Sequence, residues 1–167
     1  MEKTVDREKI AALDSHMEGI EKMDNYQKYE EDCSRIRESN KTLLTEFAAR
    51  LESSGLSDKT INKHVFNIDI YINKYLLYEE AREAQDCACA VDTFLGYWFI
   101  KKTMWASRAS LQGNAVSLKK FYAFLHEKGL VSAEDLAGLH QTIRQSMPKW
   151  LKTLDRYDNL AVRDVWR

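Results

Sequence analysis

One proline and six isolated glycines in 167 residues leave this chain few places to break a helix. Between those breakers the apolar residues recur at steps of three and four, the period of a helix with one buried face. The expected fold class is therefore all-α. A hydrophobic content of 44% with 11% aromatics suits a chain that buries a real core without disulfide staples. The length points to one domain with an appended arm.

Six helices are expected. Residues 5–30 carry Ile10, Leu13, Met17, Ile20 and Met23 on one stripe of about two heptads, short for a coiled coil. That stripe should pack on the bundle or on a second copy of itself. Residues 41–53, with Asn40 as N-cap, turn Leu43, Leu44, Phe47, Ala48 and Leu51 inward and end at Ser53-Ser54-Gly55. Residues 58–78 open at the N-cap Ser57, with Asp58 against the helix dipole. Ile61, Val65, Ile68, Ile72 and Tyr75 give their stripe, and Phe66, Ile70 and Leu77 widen it into a central helix. Residues 91–104 are apolar nearly all round, with Val91, Phe94, Leu95, Trp98 and Met104 inward. Residues 108–128, capped by Ser107 and ended by Gly129, bury Leu111, Ala115, Leu118, Tyr122 and Leu125. Residues 133–147 follow the cap Ser132, and Pro148 should break them. A tail of Trp150, Leu151, Leu154 and Tyr157 then docks as another turn or two. The organisation expected is an amphipathic arm over 1–36, a core domain over 37–131, and a C-terminal helix and tail over 132–167 on the same domain.

The formal net charge of −1 hides an uneven distribution. Residues 1–36 hold six Lys/Arg against ten Asp/Glu, whereas residues 97–128 carry Lys101, Lys102, Arg108, Lys119, Lys120 and Lys128 against the single acid Glu127. A basic face of that kind suits phosphate. Three cysteines, two of them spaced Cys87-Ala-Cys89, fit neither a disulfide framework nor a zinc knuckle, so no metal and a reducing cytoplasm are expected. Met1 to Asp6 lacks the apolar core of a secretory leader, and no stretch is apolar enough for a membrane span. The six glycines form no phosphate-binding loop, no Gly-x-Ser-x-Gly occurs, and the four histidines do not cluster, so no cofactor or catalytic residue is expected.

Three stretches carry a likeness to a known family. Gly55-Leu56-Ser57-Asp58-Lys59-Thr60-Ile61 opens the central helix. Ser107-Arg108-Ala109-Ser110-Leu111 opens the helix at 108. Leu118-Lys119-Lys120-Phe121-Tyr122-Ala123-Phe124-Leu125, then Lys128-Gly129-Leu130, closes it. In this order they resemble the core-binding, SAM-like domain of tyrosine recombinases and phage integrases, over a little more than half of the chain. The resemblance implies an orthogonal bundle of four core helices, here with an added N-terminal and an added C-terminal helix. It also implies a domain that grips one side of double-stranded DNA. Two of its helices would lie over the major groove, presenting Lys59, Thr60, Asn62 and Lys63 on one and Ser107, Arg108, Gln112 and Lys119 on the other. Lys101, Lys102 and Lys120 extend the basic stretch. These residue types suit a duplex. Lys and Arg neutralise phosphate, helix N-termini offer free N–H groups, and Asn, Gln and Arg can read base edges.

The chain departs from the family where chemistry is concerned. Strand transfer needs an arginine pair, a His-x-x-Arg motif and a tyrosine nucleophile. Here His140 and Arg144 are one residue too far apart for that motif, and Tyr157 has no arginine constellation to serve it. After Leu130 the chain adds one helix and a tail, so the expectation is a non-enzymatic DNA-binding domain for DNA recombination or integration. The alternative is a helical interaction or dimerisation module, docking through Ile10, Leu13, Met17, Ile20 and Met23, that has lost DNA binding.

Overall fold

A computed structural model of the protein describes residues 4–165, with side chains from Arg7 to Arg163. The leader expectation for Met1 to Asp6 falls outside the residues whose side chains are described. The described residues are all-α and contain no strand. Helix α1 spans Thr4–Ser53, and α2 spans Asp58–Asp69 and runs on through a π-wound turn, Ile70–Tyr75. Two 3-10 turns, Ala84–Asp86 and Ala88–Ala90, lead into α3. Helix α3 begins as Val91–Thr93, widens into a π-wound segment Phe94–Trp98 and finishes as Phe99–Lys102. Helix α4 is Arg108–Glu127, and α5 is Ala133–Val165. No helix among them is long and apolar enough to cross a membrane.

Two expected breaks are absent. The helices anticipated at 5–30 and 41–53 are one continuous α1, about 75 Å long at 1.5 Å per residue. Asn40 is no N-cap. It is buried in the middle of α1, where its amide donates to the Ile72 carbonyl at 3.4 Å and to Asn73 Oδ1 at 2.8 Å. A short polar side chain reads locally as a cap, but here a neighbouring helix satisfies it. Pro148 likewise sits inside α5. Its ring is exposed, and the inward residues Leu139, Ile143, Trp150 and Leu154 keep the helical period across it. Burial of that stripe outweighs the one backbone hydrogen bond proline removes. Three residues expected inside are outside: Phe66, Tyr157 and Met104, the last fully exposed.

Helix α4 is the hub of the core. Leu111, Ala115, Leu118, Phe121, Tyr122 and Leu125 are all buried along it, each Leu and Phe side chain contributing about 1.5–3 kcal/mol. Phe47 of α1 meets Phe121 edge-on, with ring centroids 5.3 Å apart. Tyr71 packs between Tyr75, Phe94 and Tyr122. Its hydroxyl donates to the Cys87 carbonyl at 2.6 Å, and that of Tyr122 donates to the Ala84 carbonyl at 2.7 Å. Burial pushes both phenols well above the ordinary tyrosine range, so they stay protonated and pin the 79–90 connection to the core. A smaller cluster, Cys33, Ile36 and Leu77, ties the middle of α1 to the end of α2, helped by the Tyr29 hydroxyl donating to the Leu77 carbonyl.

Candidate nucleic-acid interface

Helix α2 turns Ile61, His64, Asn67 and Ile68 inward. The opposite spacing leaves Lys59, Asn62, Lys63 and Phe66 exposed on one side. Helix α4 turns Leu111, Ala115, Leu118 and Tyr122 inward and leaves Arg108, Gln112, Val116 and Lys120 exposed, with Lys119 half-buried at their edge. From Arg108 to His126, α4 carries no acid.

The two helices pack through a buried polar cluster. The Ser117 hydroxyl donates to the Gly113 carbonyl at 3.0 Å. It can then only accept from His64 Nδ1 at 2.7 Å and from the Asn67 amide at 2.9 Å. That assigns the His64 proton to Nδ1. Burial, then Lys120, then Lys63 lower the His64 pKa, so the ring stays neutral between two ammonium groups. Lys63 lies across α4 at Gly113, where a β-carbon would meet only Lys63 Cε at 3.8 Å and Nζ at 4.0 Å. Lys63 thus reaches α4 at Gly113, and Lys63 and Lys120 both act on His64. Lys59 and Asn62 share the exposed side of α2 with Lys63, while Gln112 and Lys120 are exposed on α4.

The remaining candidates are differently placed. Ser107 is occupied by a capping box: its Oγ accepts the Ser110 N–H at 3.1 Å, and Ser110 Oγ accepts the Ser107 N–H at 2.8 Å. The Thr60 hydroxyl lies 3.0 Å from that of the N-cap Ser57. Arg108 forms a two-oxygen ion pair with Asp155 of α5, at 3.0 and 3.3 Å. The ammonium of Lys101 sits over the Tyr97 ring at 4.3 Å, and that of Lys102 over the Tyr78 ring at 5.6 Å. Lys102 also lines a pocket with Glu79 and Glu80. The last two lysines are therefore engaged with aromatic rings and not brought to the α2–α4 crossing.

Two features of this surface are not evident from the sequence pattern. Phe66 and Trp105 pair at 6.0 Å between ring centroids while each remains about half exposed, 51% and 50%. Phe66 lies about 140° round α2 from Ile61, at 100° per residue, so strict helical angles could have placed it outside. An open groove of about 900 Å3 follows Arg108 along α5, adding Arg144, Lys149 and Lys152. No local signal joins those bases to Arg108, because α5 folds back from beyond Gly129.

Among the described residues, no three His, Cys, Asp or Glu side chains come together as a metal site. Compared with protein-family models, with curated proteins and with solved structures, the chain matches none of them.

Proposed function

We propose that the α2–α4 surface binds double-stranded DNA, in the manner that the resemblance to recombinase core-binding domains implies, and that the chain performs no strand chemistry. The observation that carries this reading is the crossing of Lys63 over Gly113. It brings a base of α2 to the acid-free stretch of α4, 50 residues away in sequence. In this reading Lys59, Lys63, Lys119 and Lys120 neutralise phosphates. Asn62 and Gln112 lie among them as candidates for base edges, and the exposed Phe66–Trp105 pair offers apolar contact at the rim. Ser57 and Ser107 hold the helix openings through their caps. Arg108 joins only when phosphate displaces Asp155.

The test is an anisotropy titration of a labelled duplex at low salt with the wild-type chain and a variant in which Lys59, Lys63, Lys119 and Lys120 are glutamate. Circular dichroism checks that the variant keeps its fold, since Lys59, Lys63 and Lys120 are exposed and Lys119 is half-buried. Binding by the wild type and none by the variant is expected. Equal binding by both would remove the face from the account. No binding by either would favour the second reading, an interaction module, whose own support is the apolar stripe on α1.

A further inference from the structure

We infer that the first half of α1 is a self-association surface, on which two copies of this chain pair side by side in parallel. The inference does not depend on nucleic-acid binding. Ile10, Leu13, Met17 and Ile20 are 56%, 60%, 63% and 47% exposed, although they form an unbroken apolar stripe. Packing of α1 on its own bundle begins only at Tyr29 and Cys33. At about 100° per residue, the stripe centres roughly 150° around the helix from Cys33, Ile36, Phe47 and Leu51, which α1 buries in the bundle. It therefore looks away from the rest of the chain. Sliding the bundle along α1 would not cover it.

The charges beside the stripe choose a second copy and its direction. With Ile10 and Met17 at heptad position a, and Leu13 and Ile20 at d, the flanking g positions are Lys9 and His16. The e positions are Arg7, Asp14 and Glu21. In a parallel pair each g faces the following e of the other copy. Lys9 then meets Asp14, and His16 meets Glu21, twice each across the pair. An antiparallel pair also sets Arg7 against Glu21, but it forces Asp14 against Asp14 and His16 against His16, whereas the parallel pair brings no like charges together. Asp24 and Gln27 occupy the next a and d positions and end the apolar seam just before α1 turns to its own bundle. Two heptads make a weak, concentration-dependent dimer, since short helical pairs gain little cooperativity.

Sedimentation equilibrium of the full chain over a concentration series tests the pairing. The apparent mass should rise toward twice the monomer value. Changing Leu13 and Ile20 together to glutamate should hold it at the monomer value and leave the thermal transition of the bundle unmoved. Direction is read with Met17→Cys in a Cys89→Ser background, because Cys89 is the exposed thiol and Cys33 and Cys87 are buried. Mild oxidation should give a covalent dimer, since parallel pairing sets position 17 against itself. A monomer at every concentration, or a dimer that survives the double variant, would overturn the proposal. A dimer without the Met17→Cys cross-link would overturn the parallel arrangement. It would point instead to antiparallel pairing or to α1 docking on Leu160 and Val162, exposed at the far end of α5.

Discussion

The Ser117 hydroxyl joins His64, Asn67 and the Gly113 carbonyl at the crossing of α2 and α4, and so makes one buried imidazole a sensor of folding. Burial chiefly, with Lys120 and Lys63, holds its pKa below the ordinary 6.5. Well above 6.5 the ring is neutral in the folded and unfolded chain alike, and its contribution to stability is intact. As the pH falls below 6.5 the unfolded chain takes up a proton that the folded chain refuses. Stability drops until the pH passes the lowered folded value. Urea midpoints measured across that range should fall with pH for the wild type and fall less for His64→Asn. The Arg108–Asp155 pair gives a second test. Freed from the carboxylate by Asp155→Asn, Arg108 should raise duplex affinity a few-fold, as expected for one added phosphate contact. Stability should barely change, because both side chains are more than half exposed. An unchanged affinity would take Arg108 out of the interface. Local signals at this scale were legible in the sequence: the caps Ser57 and Ser107 hold, and Gly55 and Gly129 end their helices with φ of +83° and +75°. The Arg108–Asp155 partnership, 47 residues apart, has no local signal.

Among the elements, α3 and α5 meet closely where Gly96 faces Trp150. A β-carbon on Gly96 would stand 2.7 Å from Trp150 Cδ1 and 2.8 Å from Nε1, while that same N–H donates to Asp92 Oδ1 at 2.8 Å. Trp150 is 1% exposed and cannot swing aside. Gly96→Ala should therefore cost about 1–3 kcal/mol, the range for overpacking a close contact. Gly113→Ala is the contrasting case. Its β-carbon meets only the flexible end of Lys63, so the better helix former should add up to about 1 kcal/mol. Thermal unfolding of the two variants decides between steric and propensity control at each crossing. The elements themselves were readable from period and caps, and α4 matches its expected bounds to within one residue. Asn40 and Pro148 misled because both are breakers by local rule. Each is overruled by a contact from another part of the chain: the amide site near Ile72 for Asn40, and the buried Trp150–Leu154 run for Pro148.

Taken as a whole molecule, the chain keeps two kinds of surface apart. The acidic first half of α1 stands clear of the bundle, and the acid-free stretch of α4 lies where α2 crosses it. The all-α class followed from the scarcity of breakers. The crossing did not, because nothing in the spacing of α2 or α4 says that Lys63 reaches Gly113. The salt dependence of duplex affinity, compared between the wild type and Lys63→Gln, tests that crossing most directly. Expected is a steep fall of log affinity with log salt, at a slope of about −0.9 per phosphate neutralised, and a slope shallower by about one such contact in the variant. Binding that ignores salt, or an identical slope and affinity in Lys63→Gln, would contradict this expectation.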